Sequence, residues 1–185
     1  MDDIHKFRVF NKLKTIYRFN SVEKRKESSA EHSWSCLILA DFFLSNTKLN
    51  VNRLKVYELL MYHDVVEIEA GDTPLHPQIK RENKVQKEED AKQLLQQNLP
   101  TPLNNKFLNL FNEFEEQKTI EARFAKAIDA LDAQIHELDY KEDWKVWSEE
   151  FLVNKKSRFF EEFPQINKVF YELVDYLREN NYFNQ

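Results

Sequence analysis

Gly71 is the only glycine in 185 residues. Glycine supplies the positive φ that tight hairpins and bulges need, so a sheet-rich chain of this length would carry many more; average usage is ~7%. The chain is therefore expected to be all-α. Its five prolines fall outside the periodic segments, and fifteen Phe, seven Tyr and three Trp provide bulky side chains for packing helix on helix. One domain spanning 1–185 suits this length, and no repeat, linker or boundary interrupts it.

Charge and cysteine usage narrow the partners. A formal net charge of −5 argues against a polyanionic partner such as duplex nucleic acid, which calls for a basic face. It leaves room for a small phosphorylated substrate held by a metal and one or two cations. The single cysteine, Cys36, excludes an internal disulfide framework and fits a reducing cytoplasm. No signal peptide is recognisable, and no apolar run approaches the ~18 residues of a membrane span.

Apolar side chains at Ile4, Phe7, Phe10, Leu13, Ile16 and Tyr17 have helical spacing. The polar stretch from Arg18 to Ser29 reads as a loop. Ser28 or Ser29 then caps a helix whose apolar face runs through Trp34, Leu37, Ile38, Ala40 and Leu44. Asn50 or Asn52 caps the next, which continues through His63 and Asp64 to a stop at Gly71 in a left-handed conformation, with Pro74 preventing continuation. A charged helix from about Asn83 to Gln97 follows. Further helices fit 103–116, about 119–137, about 142–153 and the segment after Pro164.

The chemistry concentrates in Met61-Tyr62-His63-Asp64-Val65-Val66-Glu67 and the following Gly71-Asp72-Thr73-Pro74. Imidazole and carboxylate together bind divalent metals when further ligands converge on them. Adjacent residues of an ideal helix point ~100° apart, so a lone His-Asp pair carries little weight. His32, in Glu31-His32-Ser33-Trp34, is either a third ligand or a core histidine with both ring nitrogens satisfied. Asp129 lies among core-type residues in Lys126-Ala127-Ile128-Asp129-Ala130-Leu131, where a carboxylate is costly unless it binds metal or pairs, for instance with Lys126. Asp132 competes with it and is read as surface-facing. Glu31 is assigned to solvent or a structural contact. His5, His76 and His136 are read as surface residues, and Cys36 as a small buried one.

The pattern resembles the HD-domain superfamily of metal-dependent phosphohydrolases: a His, a later His-Asp pair and a distant Asp, matched here by His32, His63, Asp64 and Asp129. Within that superfamily it more closely resembles the bacterial 5′-deoxynucleotidases and their relatives. Glu27-Ser28-Ser29-Ala30-Glu31-His32-Ser33 is similar to their Glu-Ser-Val-Ala-Glu-His-Ser segment, and His63-Asp64 with Glu67, Gly71-Asp72 and Pro74 to their next one. The likeness covers about residues 7 to 136, with helices over about 140–182 completing or covering that core.

It implies a single-domain HD-type helical bundle holding one divalent metal ion, Co²⁺, Mn²⁺ or a similar transition metal, with Mg²⁺ admissible. It further implies that Glu67 orients or deprotonates the attacking water. Asp72 assists proton transfer or contacts the sugar. Arg18 and Phe19 contact the nucleotide, with Lys80 as a second phosphate contact. The relatives carry Trp where Phe19 stands, which leaves the sugar preference open. The implied activity is hydrolysis of (deoxy)nucleoside 5′-monophosphates by a homodimer, to which the aromatic C-terminal helix contributes. The alternatives are an HD hydrolase of a nucleoside triphosphate or other small phosphoester, and a non-catalytic HD-fold scaffold.

Overall fold

The computed structural model describes residues 1–184. A short helix, α1 (Asp2–Phe7), runs into a 3₁₀ stretch over Arg8–Thr15, in place of the single helix expected over this segment. An antiparallel hairpin follows, β1 (Tyr17–Val22) with β2 (Arg25–Ser28), where a loop was expected. Its turn needs no glycine because Glu23 itself takes positive φ, at 50°. The remaining elements are helical: α2 (Ser29–Asn46), α3 (Arg53–Tyr62), α4 (Glu67–Ala70), α5 (Lys84–Asn98), α6 (Leu103–Glu116), α7 (Ile120–His136), α8 (Glu149–Lys156) and α9 (Pro164–Glu179). The fold is thus a single-domain helical bundle with one minor hairpin. A 3₁₀ turn over Lys141–Trp144, rather than helix, leads to α8.

Helix α7 is the central rod. It packs against α2, α3, α6 and α9, and ten of its residues are buried, among them Phe124, Ile128 and Leu131. Helix α2 begins with a capping box: the Ser28 hydroxyl accepts from the Glu31 N–H while the Glu31 carboxylate accepts from the Ser28 N–H. Glu31 also pairs with Arg25 at the start of β2 at 2.5 Å, so it makes a structural contact, one of the two roles expected for it. The outer face of α2 departs from expectation. Trp34, Ile38 and Phe42, spaced by four residues, are all more than half exposed, whereas Ala40 and Leu44 face the core as expected, joined there by Cys36 and Phe43. Helix α9 buries Ile166, Phe170, Leu173, Val174 and Leu177. Among the described residues, no helix is long and apolar enough to cross a membrane.

The His63–Asp64 segment is not regular helix. Helix α3 ends at Tyr62, and the chain turns over His63–Val66 with i→i−3 hydrogen bonds: Val65 N–H to Tyr62 C=O, Glu67 N–H to Asp64 C=O and Ile68 N–H to Val65 C=O. Gly71 ends α4 at φ 73°, ψ 157°. This lies outside the left-handed helical well expected there, in a region that is essentially glycine-only.

Candidate metal centre

Helices α2, α3 and α7 converge at the base of a cavity and bring His32, His63, Asp64 and Asp129 together. His32 Nε2 lies 3.1 Å from Asp129 Oδ1, and His63 Nε2 lies 3.2 Å from Asp64 Oδ1 and 3.9 Å from Asp129 Oδ1. Each imidazole is fixed from behind. His63 Nδ1–H donates to the Leu60 carbonyl at 2.7 Å, which leaves Nε2 with the lone pair; that nitrogen is buried and has no hydrogen-bond partner. His32 Nδ1 meets the buried Asp132 carboxylate at 2.9 Å, which holds Nε2 toward Asp129. A histidine held by a carboxylate behind it is the usual support for a metal-binding ring. Asp132 is therefore corrected: it is 3% exposed, because α7 is packed on nearly every side and no face of it near the centre meets solvent.

The donor set fits a divalent cation. His32, Cys36 and His63 also form a cluster whose ligand atoms lie within 4.8 Å of one another. Cys36 Sγ sits 3.7 Å from His32 Nδ1 and 3.5 Å from Nε2, nearly equidistant, so it lies over the imidazole face rather than along its lone pair. Burial also pushes its thiol up to about 12, and a protonated thiol is a poor ligand. The two carboxylates suit the fourfold set better. Burial alone would raise Asp129, but Lys126, the His32 hydrogen bond and His63 hold it well below the usual carboxylate range. The Lys126 ion pair weighed as the alternative to metal binding exists, at 3.1 Å, and coexists with the convergence of the histidines.

An HD-domain model matches residues 10–167 of the chain. The chain belongs to the HD-domain family. Similar HD-domain relatives include 5′-deoxynucleotidase HDDC2 of Xenopus laevis, 33% identical over 70% of this chain and 62% of that protein. The human 5′-deoxynucleotidase HDDC2 is 28% identical over 73% of this chain and 66% of its own length. The chain thus spans about two thirds of the length of these relatives. Among solved structures, a predicted metal-dependent phosphohydrolase from Magnetospirillum magnetotacticum superposes with a TM-score of 0.88 at 28% identity, covering 100% of this chain and 95% of that one.

Around the HD centre, Glu67 lines the cavity and accepts from the Ser29 hydroxyl at 2.5 Å. Burial, then the charges of Asp64 and Asp72, raise its carboxyl well above the ordinary value. The i→i−3 bonding that places Glu67 explains its alignment with Asp64, since side chains three apart eclipse in a 3₁₀-type turn. Asp72 is raised too, first by burial. Arg18 on β1 donates to Asp64 Oδ2 at 3.3 Å, and its Nε faces Glu27 Oε2 at 3.3 Å without hydrogen-bond geometry. Phe19 lines the cavity and packs on His76, ring centroids 4.4 Å apart.

Lys80 lies elsewhere. Its side chain is 86% exposed and pairs with Glu82, while Arg81 and Lys84 are the cations of that segment that line the cavity. His76 is buried rather than at the surface, and His136 is partly buried with its Nε2 2.7 Å from the Ser21 carbonyl. The sequence reading missed Ser29 and Glu27 as neighbours of the site, and Lys126, Gln134 and Glu137 as cavity residues. Helical spacing counted from Asp129 would have found Lys126 and Glu137, at i−3 and i+8, but not Gln134, which at i+5 points about 140° away on an ideal helix.

Proposed function

We propose that this chain is a metal-dependent phosphohydrolase, and specifically a 5′-nucleotidase that converts (deoxy)nucleoside 5′-monophosphates to nucleoside and phosphate. One observation carries the reading: the buried, unpartnered Nε2 of His63 faces Asp64 and Asp129, with His32 completing the set. The finer assignment draws support from the relatives that bear the name 5′-deoxynucleotidase.

His32, His63, Asp64 and Asp129 would hold the cation. A bound divalent ion supplies Lewis acidity, which lowers the pKa of water and neutralises phosphoryl charge. Glu67, oriented by Ser29, takes the proton of the attacking water; burial raises its carboxyl above the ordinary value. Arg18 offers the planar fork that matches phosphate oxygens, and Asp72, which also lines the cavity, returns a proton to the departing nucleoside oxygen. Phe19 packs on the sugar.

The test is a phosphatase screen over nucleotides and sugar phosphates with added Co²⁺ or Mn²⁺. The expected result is inorganic phosphate from monophosphates, abolished by Asp64→Ala. Release of pyrophosphate or triphosphate from nucleoside triphosphates in its place would sink the nucleotidase reading.

The homodimer belongs to the same proposal. Because α9 buries its apolar face inside the protomer, the stripe Trp34, Ile38 and Phe42 on α2 is the better candidate for the contact between copies. Light scattering should give twice the chain mass, falling to one in Trp34→Glu; a wild-type protein of single-chain mass overturns it.

A further inference from the structure

One face of α7 and its C-terminal cap lines the cavity from end to end. Lys126, Asp129, Ala130, Ala133, Gln134 and Glu137 all contribute, in the i, i+3, i+4 sequence of a single helical strip. Its composition changes along its length. The end nearest the candidate metal centre is charged, the middle is two alanines, and the far end is an amide and a carboxyl. At 1.5 Å per residue, Glu137 lies roughly 12 Å along the axis from Asp129, comparable with the reach from a 5′-phosphate to the outer edge of a nucleobase. The small side chains of Ala130 and Ala133 leave room for a sugar between the two ends.

The far end holds polar groups with nothing to bind. Gln134 is 3% exposed, and its Oε1 has no hydrogen-bond partner. Glu137 is equally buried; its backbone carbonyl takes the Trp144 indole N–H at 2.9 Å, while the residue itself lines the cavity. Buried polar side chains are normally satisfied, so an unsatisfied amide beside a carboxyl at a cavity wall points to a ligand that completes them. Trp147, Phe159 and Phe19 line the same cavity and offer flat surfaces for a planar ring.

We propose that Gln134 and Glu137 are specificity-determining residues that read the nucleobase, and that they select one with adjacent N–H donors on its edge, as guanine has. This rests on the nucleotidase reading above. The Glu137 carboxylate would accept from the ring N–H and one hydrogen of the exocyclic amino group, while the unpartnered Gln134 Oε1 accepts the other hydrogen of that amino group. Thymine offers one N–H flanked by two carbonyls, which sets a carbonyl against the carboxylate. A cationic ligand fits less well, because Lys156, Arg18 and Lys26 already act on Glu137. Burial, then the charge of Asp143, pushes the Glu137 carboxyl up to about 8, so its charged form lacks stabilisation that two N–H donors would supply.

The experiment compares kcat/KM for dGMP, dAMP, dCMP, dTMP and deoxyribose 5-phosphate with the Mn²⁺-loaded protein, wild type and Glu137→Gln. The wild type should favour dGMP over dTMP by about tenfold or more, chiefly through KM. That ratio should collapse toward one in the near-isosteric variant. A purely structural role for Glu137 would lower all substrates together and leave the ratio intact. Equal kcat/KM for the four nucleotides, equal turnover of deoxyribose 5-phosphate, or a ratio unmoved by Glu137→Gln overturns the inference while the nucleotidase reading stands. If no monophosphate is hydrolysed, that reading falls, and calorimetry decides base recognition. Tighter binding of deoxyguanosine than thymidine, lost in Glu137→Gln, upholds it; no such difference removes it.

Discussion

His32 sits between two carboxylates of one helix, with Nε2 toward Asp129 and Nδ1 against Asp132. The second contact fixes which nitrogen faces the candidate metal centre, and the Ser35 hydroxyl fixes Asp132 in turn by donating to it at 2.7 Å. Asp132→Asn keeps the shape and removes the charge. Metal affinity measured by titration should then fall about tenfold to a hundredfold, with the circular dichroism spectrum retained and activity restored by excess metal. Unchanged affinity would mean that Asp132 merely fills space. His63, Asp64 and Asp129 could be picked out of the sequence because their side-chain chemistry is conspicuous among apolar neighbours. Asp132 could not, because a single-sided pattern assumes that a helix has a solvent face, and α7 has almost none at that level.

At the scale of elements, Gly71 makes a separable prediction. A Cβ placed there would meet nothing within 4 Å, so any cost of Gly71→Ala comes from the backbone alone. With φ at 73° and ψ at 157°, that cost should be about 1–3 kcal/mol, read as a lowered midpoint in urea unfolding with an unchanged slope. A midpoint equal to wild type would contradict the conformation described. Helices α5, α6, α7 and α9 could largely be located from periodicity and from the Asn83, Pro102 and Pro164 signals near their starts, while α8 begins at Glu149, later than the expected start near 142. The hairpin was invisible for a physical reason: the usual marker of a tight turn is glycine, and here Glu23 carries the positive φ itself. On α2, Ala40 and Leu44 lie on the core face as expected, but Trp34 and Ile38, equally apolar and helically spaced with each other, turn outward, and Cys36 and Phe43 complete the core face.

For the molecule as a whole, the near-absence of glycine was enough to indicate a helical bundle, and the ligand types gave the place where its helices converge. The cavity chemistry stayed hidden because Gln134 and Glu137 are ordinary polar residues until the fold buries them. That burial has a consequence for stability. Glu137 has its folded-state pKa raised to about 8, so the native state holds a proton that the unfolded chain releases at the ordinary carboxylate value. Stability from this group is complete below that ordinary value and is lost as pH rises toward and through about 8. The melting temperature of metal-free wild type should therefore fall more steeply between pH 5 and 9 than that of Glu137→Gln. Parallel curves would mean that Glu137 ionises normally.

The unfinished helix after Tyr62 sets a conflict between robustness and activity. Completing it as regular α-helix would replace the i→i−3 hydrogen bonds with better-aligned i→i−4 ones, and selection for thermal stability would favour such changes. Three residues of α-helix sweep about 300° rather than a full circle. Glu67 would swing about 60° away from Asp64, and the more durable protein would be the poorer enzyme.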